Sequence, residues 1–234
     1  MLQYSGIYYS TICYIAFMDF CNVTTDLWTY LADVRRPLVI YGTGDGADKI
    51  IDELGRRGLE GLISGIFASP GFVREDRIFR GVSVESLASV CARLSDFIVL
   101  VAFGTPLPDV LSYIYSIEEK HELYAPDVPV CGGEVFDMDF LNKNSARLEK
   151  VYSQLADTKS KNCFRCLINY KLSGCLKYLR SCEVTPDEAD RILGPFADNS
   201  SYIDLGAYRG DTLSRFINMF SGFSSATGSE ERRV

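Results

Sequence analysis

The chain has 234 residues, 47% of them hydrophobic and 24% charged, a balance that excludes a disordered polypeptide and leaves room for one full domain and part of a second. A net charge of -7 without any Lys/Arg stripe argues against a nucleic-acid partner, because neutralising phosphates needs clustered cations. Eight cysteines lie scattered in apolar segments instead of framing a small loop-rich domain, the usage expected of free thiols in a reducing cytoplasm.

The uncharged run Tyr4 to Phe17 is shorter than the ~20 residues of a membrane helix, and no basic region precedes it as in a signal peptide. Residues 1–25 therefore read as an amino-terminal extension without a membrane role, with Met18 as an expected natural start. A short helix from Asp26 to Leu31 should end before Pro37, since proline disfavours helical geometry in the residue preceding it. Leu38-Val39-Ile40-Tyr41 is a buried-strand run. It meets a glycine turn at Gly42 to Ala47, then a helix marked by Ile50, Ile51 and Leu54.

A second strand spans Gly61 to Ala68 and stops at Ser69-Pro70-Gly71. The pattern then predicts a helix over Val84 to Leu94 with Ser83 as its cap, a strand over Asp96 to Phe103, and a helix opened by Pro106 and Pro108 and running through Ile117. Strands alternating with helices at this pitch imply a parallel sheet covered on both faces. The reading is an α/β protein whose residues 26–130 form a Rossmann-like leader domain.

Residues 131–195 read as a helical connector, with Leu148, Val151, Tyr152 and Leu155 and then Cys163, Leu167, Tyr170 and Leu172 at helical spacing. Thr185-Pro186-Asp187-Glu188 places a capping hydroxyl, a first-position proline and an acid that together open a helix to Leu193. Residues 196–234 begin a second Rossmann-like unit, with a strand from Ser201 to Gly206 and a helix from Asp211 to Phe220. From Ser221 onward no apolar run suggests another strand, so this unit is expected to stop before its sheet has partners.

Two segments carry candidate chemistry. In Asp204-Leu205-Gly206-Ala207-Tyr208-Arg209-Gly210-Asp211-Thr212, an acid at a strand end is followed by two glycines that let backbone approach a ligand facing the helix N-terminus. At such a place Asp204 can hold an ammonium group directly or through water, and an empty tight turn is the structural alternative. The segment resembles motif I of class I S-adenosylmethionine-dependent methyltransferases and is most similar to the FkbM-type family. Val39 to Ala47, Ala125 to Pro129 and Asn169 to Gly174 resemble, more loosely, the leader domain attached to some members.

That resemblance implies S-adenosylmethionine as cofactor, contacts from Asp204, Gly206, Tyr208, Gly210 and Asp211, and methyl transfer to an oxygen of a small molecule or sugar. The acid that contacts the cofactor ribose in such enzymes follows the next strand. Here Glu230 and Glu231 follow Ser224-Ser225-Ala226-Thr227-Gly228-Ser229, a poor strand by composition. No residue is assigned as catalytic, and the 234-residue chain is itself expected to be inactive.

Gly42-x-Gly44-x-x-Ala47 after an apolar strand fits the dinucleotide fingerprint with alanine in its third place. The second strand lacks a terminal Asp or Glu to grip a ribose, so a purely structural turn stands beside the alternative function of a non-catalytic nucleotide or sugar-nucleotide binding module. Cys163-x-x-Cys166 has half the spacing of a zinc site, but no histidine is near and Cys175 and Cys182 are seven apart. Core thiols and no metal are expected. His121 lies among Glu118, Glu119, Lys120 and Glu122 and reads as a solvated helix end.

Overall fold

The computed structural model describes residues 18–71, 77–129, 132–196, 200–207 and 209–229. Contacts divide the chain into a unit running to Cys182 and a unit from Glu183 onward.

The first unit opens with helix α1 (Leu27–Val34), capped by Asp26, whose carboxylate accepts from the Thr29 amide at 3.0 Å. Its backbone turns at Arg35 into the left-handed region, which ends the helix and points the chain at strand β1 (Leu38–Tyr41). Helix α2 (Asp45–Arg56) and strand β2 (Ile63–Phe67) follow, then strands β3 (Ile78–Phe79) and β4 (Val82–Glu85). The chain continues through helix α3 (Leu87–Arg93), strand β5 (Ile98–Val101), helix α4 (Pro108–Glu118) and strand β6 (Glu122–Tyr124).

These strands form a six-stranded sheet in the order β3-β4-β2-β1-β5-β6. All neighbours are parallel except β3, which runs antiparallel along β4. Numbered among the five parallel strands alone, the order is 3-2-1-4-5, that of a doubly wound sheet with its topological switch beside β1.

Alternate side chains of the same strands build two apolar layers. Leu38, Ile40, Ile66, Ile98 and Leu100 pack on one face beneath Leu27, Trp28 and Leu31 of α1 and Ile50, Ile51 and Leu54 of α2. Val39, Tyr41, Phe67, Val99 and Val101 pack on the other against Val90 of α3 and Ile114 and Ile117 of α4. Every residue of β1 and β5 is buried, which explains why these two strands are the plainest apolar runs in the sequence.

The segment expected as a helix over Val84 to Leu94 is corrected. Val84 lies in β4, whose partner β2 binds it as Ile66 against Val84, and the helix starts at Leu87 with Ser86 as its cap. A pairing partner far away in sequence overrode the local helical pattern. Strand β6 also escaped the sequence reading, because Glu-Leu-Tyr with a single buried residue has no visible period.

Helices α5 (Met138–Gln154), α6 (Thr158–Ser173) and α7 (Leu176–Cys182) complete this unit. Their cluster includes the chain before α1: Met18, Phe20, Cys21 and Val23 are buried with Leu141, Ile168 and Leu172. Asn169 fixes this seam. Its carbonyl oxygen accepts the amides of Asn22 at 2.7 Å and Val23 at 3.0 Å, while its amide group donates to Phe20 O at 3.0 Å and Arg165 O at 2.6 Å. All the capacity of a buried amide side chain is thereby used.

The second unit contains helix α8 (Pro186–Leu193), strand β7 (Ser201–Leu205), helix α9 (Asp211–Met219) and strand β8 (Ser225–Ser229). The last of these corrects the expectation of a strandless tail. β8 runs parallel to β7 in unbroken register from Ser201 opposite Ser225 to Leu205 opposite Ser229. On the covered face Tyr202 stacks on Phe216 of α9 with ring centroids 4.0 Å apart. A Cβ on Gly228 would stand 3.0 Å from Ala207 Cβ, so the small residues that made the segment look unlike a strand are those that let the β7 turn and α9 lie on it.

Candidate functional site

In the second unit Asp204 occupies the last-but-one position of β7, and its Oδ2 accepts the Thr212 hydroxyl at 2.6 Å. The acid is thus oriented by the first turn of α9, and no second partner engages Oδ1 among the described residues. Gly206 and Gly210 adopt φ of +81° and +72°, values that are strained for a side-chain-bearing residue. At both, a Cβ would meet nothing within 4 Å, so the turn is open as well as tight.

The Gly206 and Ala207 amides both donate to Ser229 O, at 3.0 and 2.7 Å, and Gly210 donates to Ala207 O at 2.6 Å. These three donors serve the turn itself. The first turn of α9, where Asp211 and Thr212 follow the Gly210 cap, is where helix amides have no intrahelical acceptor. Asp204, Gly206, Gly210 and Asp211 are therefore brought to one end of the β7-α9-β8 unit. Tyr208 lies outside the described residues, as do Glu230 and Glu231. Sequence reading missed the orienting role of Thr212; its position eight residues after the acid, at the second place of a helix, was the available signal.

The Gly42 to Ala47 turn sits at the carboxyl end of β1, at the switch in strand order. Gly42 has φ of +118°, and a Cβ there would lie 2.9 Å from the Phe103 ring. Gly44 caps α2 in extended geometry with open space around it. Ala47 is fully buried in the apolar layer shared with Ile50, Ile51 and Leu54. The glycine not singled out from sequence, Gly46, is the most constrained: a Cβ would stand 2.1 Å from the Ala102 carbonyl oxygen at the end of β5. Gly42 and Gly44 line a cavity of about 420 Å3 together with Tyr41, Ser69, Arg77, Phe103 and Thr105.

The loosely matched Ala125 to Pro129 and Asn169 to Gly174 segments meet in space. Ala125 N–H donates to Gly174 O at 2.8 Å, and Lys171 Nζ donates to Asp127 at 2.7 Å. Gly174 closes α6 with φ of +66°, where a Cβ would stand 3.2 Å from Ala125 O. This joint braces the sheet edge against the helices.

Cys163 and Cys166 lie near Cys182, whose thiol burial, followed by the neighbouring thiols, pushes up to about 11. Among the described residues no group of three or more His, Cys, Asp or Glu is placed to hold a metal ion. His121 differs from its expected solvated state, being stacked on Phe97 with centroids 4.5 Å apart. No described helix is long and apolar enough to cross a membrane.

No family model and no curated protein matches the sequence. Among solved structures, the chain is similar to methyltransferase FkbM from Methylobacillus flagellatus KT, with a TM-score of 0.55 and 13% identity. The similarity covers 97% of this chain and 64% of that one, so the chain spans under two thirds of the length of the structure it matches. At this identity the likeness is one of fold alone: over the part the two share, the chain has the α/β fold of that structure.

Proposed function

We propose that this polypeptide contributes the opening β-α-β part of an S-adenosylmethionine site in a methyltransferase of the FkbM kind, acting on an oxygen of a small molecule or sugar. The observation that carries the reading is the geometry at the end of β7: Asp204 held by Thr212, followed by two open, positive-φ glycines at the N-terminus of α9. The residues fit the cofactor. Asp204 Oδ1 is available to an ammonium group, the glycines leave space at the backbone, and the first turn of α9 offers amides and a favourable dipole end to a carboxylate.

Bound S-adenosylmethionine supplies an electrophilic methyl group. The protein's part is to hold the donor and align an acceptor oxygen with it, which supplies much of the rate in such transfers. Ile203 and Leu205 are 67% and 81% exposed on the uncovered side of β7, an apolar face of the kind that further elements of such a domain pack against. One wall of a site recovers little of the cost of immobilising a ligand, so the 234-residue chain should bind S-adenosylmethionine at roughly millimolar strength and turn none over. A polypeptide that continues the β7-β8 sheet should bind tightly by calorimetry, and Asp204→Ala or Gly206→Val in it should abolish binding. Turnover by the 234-residue chain, or unchanged binding after both substitutions, would show the assignment to be wrong.

A further inference from the structure

The cavity above β1 belongs to the first unit and is independent of the cofactor reading. It lies outside the carboxyl ends of β1, β2 and β5, at the switch in strand order where doubly wound sheets take ligands. Its volume of about 420 Å3 falls within the range of small-molecule sites. Groups from three strand ends line it: Tyr41, Gly42, Thr43 and Gly44 after β1, Ala68 and Ser69 after β2, and Phe103, Gly104 and Thr105 after β5.

Its charge is unusual for a chain of net charge -7. Among the described residues no carboxylate lines it, and Arg77 does. Arg77 is half-buried, is anchored by its carbonyl oxygen accepting Val84 N–H at 2.8 Å, and has no side-chain partner among the described residues. The acids nearest the turn are already engaged, Asp45 by Lys49 at 2.6 Å and Asp48 by Arg80 at 2.5 Å. A half-buried guanidinium without a carboxylate partner among the described residues, lining a cavity with hydroxyl and backbone donors, favours an anion, and its planar fork suits phosphate.

The position of the cation narrows the ligand. An acid after the second strand reads a free ribose diol, whereas a nearby arginine in its place accommodates a phosphate carried on that ribose. Here Ala68 and Ser69 hold the acid's place, and Arg77 lines the same cavity. We propose that this cavity is a binding site for a nucleotide bearing a phosphate on its ribose. Its 5′-phosphate would lie at the Thr43-Gly44 turn, its ribose phosphate against Arg77 and Ser69, and the apolar wall of Phe103 and Val110 would cover the remainder.

Calorimetry of the whole chain with 2′,5′-ADP, AMP and inorganic phosphate tests this. Binding of 2′,5′-ADP should exceed that of AMP by roughly tenfold or more, the scale of one charged hydrogen-bonded contact, with inorganic phosphate weaker than either. Arg77→Gln should bring 2′,5′-ADP down to the level of AMP. Gly44→Leu should remove both, because its extended backbone and open surroundings admit a side chain that occupies the cavity. Circular dichroism melts of both variants should match the parent. Equal affinity for the three probes, no binding of 2′,5′-ADP, or a nucleotide preference that survives Arg77→Gln in a folded variant would overturn the proposal.

Discussion

Glu122 shows how much a single side chain can organise at a sheet edge. It accepts hydrogen bonds from Tyr30 at 2.6 Å and Tyr124 at 2.8 Å, and it pairs with Arg36, which also grips Asp96. Burial pulls its carboxyl upward, but these donors outweigh burial and leave it below its ordinary value of 4.5. Asp137, held by Arg57 and the Phe140 amide against the opposing effect of burial, is shifted in the same direction. Between its depressed folded value and its ordinary value, such an acid is protonated in the unfolded chain and ionised in the folded one. Stability from it is therefore complete above the ordinary value and is lost as pH falls through the folded one. Urea unfolding followed from pH 7 to pH 3 should show a loss on the acid side. Glu122→Gln should cost about 1–3 kcal/mol at pH 7 and flatten part of that loss; an unchanged acid limb would remove Glu122 from this role.

Among the elements, the ones legible in the sequence were those whose identity is local. β1 and β5 are continuous apolar runs because both their faces are buried, and α8 was marked by Thr185, which accepts the Glu188 amide at 3.2 Å. β4, β6 and β8 were illegible because a distant partner makes each of them: Val84 pairs with Ile66, Leu123 with Val99, and Ser225-Ala226-Thr227-Gly228-Ser229 with β7. The fingerprint at Gly42 to Ala47 reads in the sequence either as a ligand turn or as a structural one, and neither reading singles out Gly46, whose helix-to-strand contact fixes it. Because Gly46 faces the Ala102 carbonyl and Gly44 faces open space, Gly46→Ala should destabilise by about 1–3 kcal/mol, the scale of overpacking. Gly44→Ala should be near neutral. Equal effects in chemical denaturation would show that α2 does not approach β5 as described.

In the whole molecule, the parallel sheet of the first unit and the β-α opening of the second agree with the strand-helix alternation and with the Asp204 to Thr212 motif of the sequence. The tie between residues 18–23 and α6 has no such signal, because it rests on one buried amide, Asn169, with no period to reveal it. That tie places the helices before Cys182 in the first unit. A chain ending at Cys182 should therefore melt cooperatively by itself; a broad, noncooperative melt of that chain would argue against the division. A β7-α9 turn that serves as a cofactor wall should respond to a cofactor-like ligand. Backbone amide resonances of the 234-residue chain, followed during titration with S-adenosylhomocysteine, report that response. Weak, saturable shifts centred on Asp204, Gly206, Gly210 and Asp211 that vanish in Asp204→Ala are expected; shifts confined to Gly42 to Ala47, or unaltered by that substitution, would show that the turn is not such a wall.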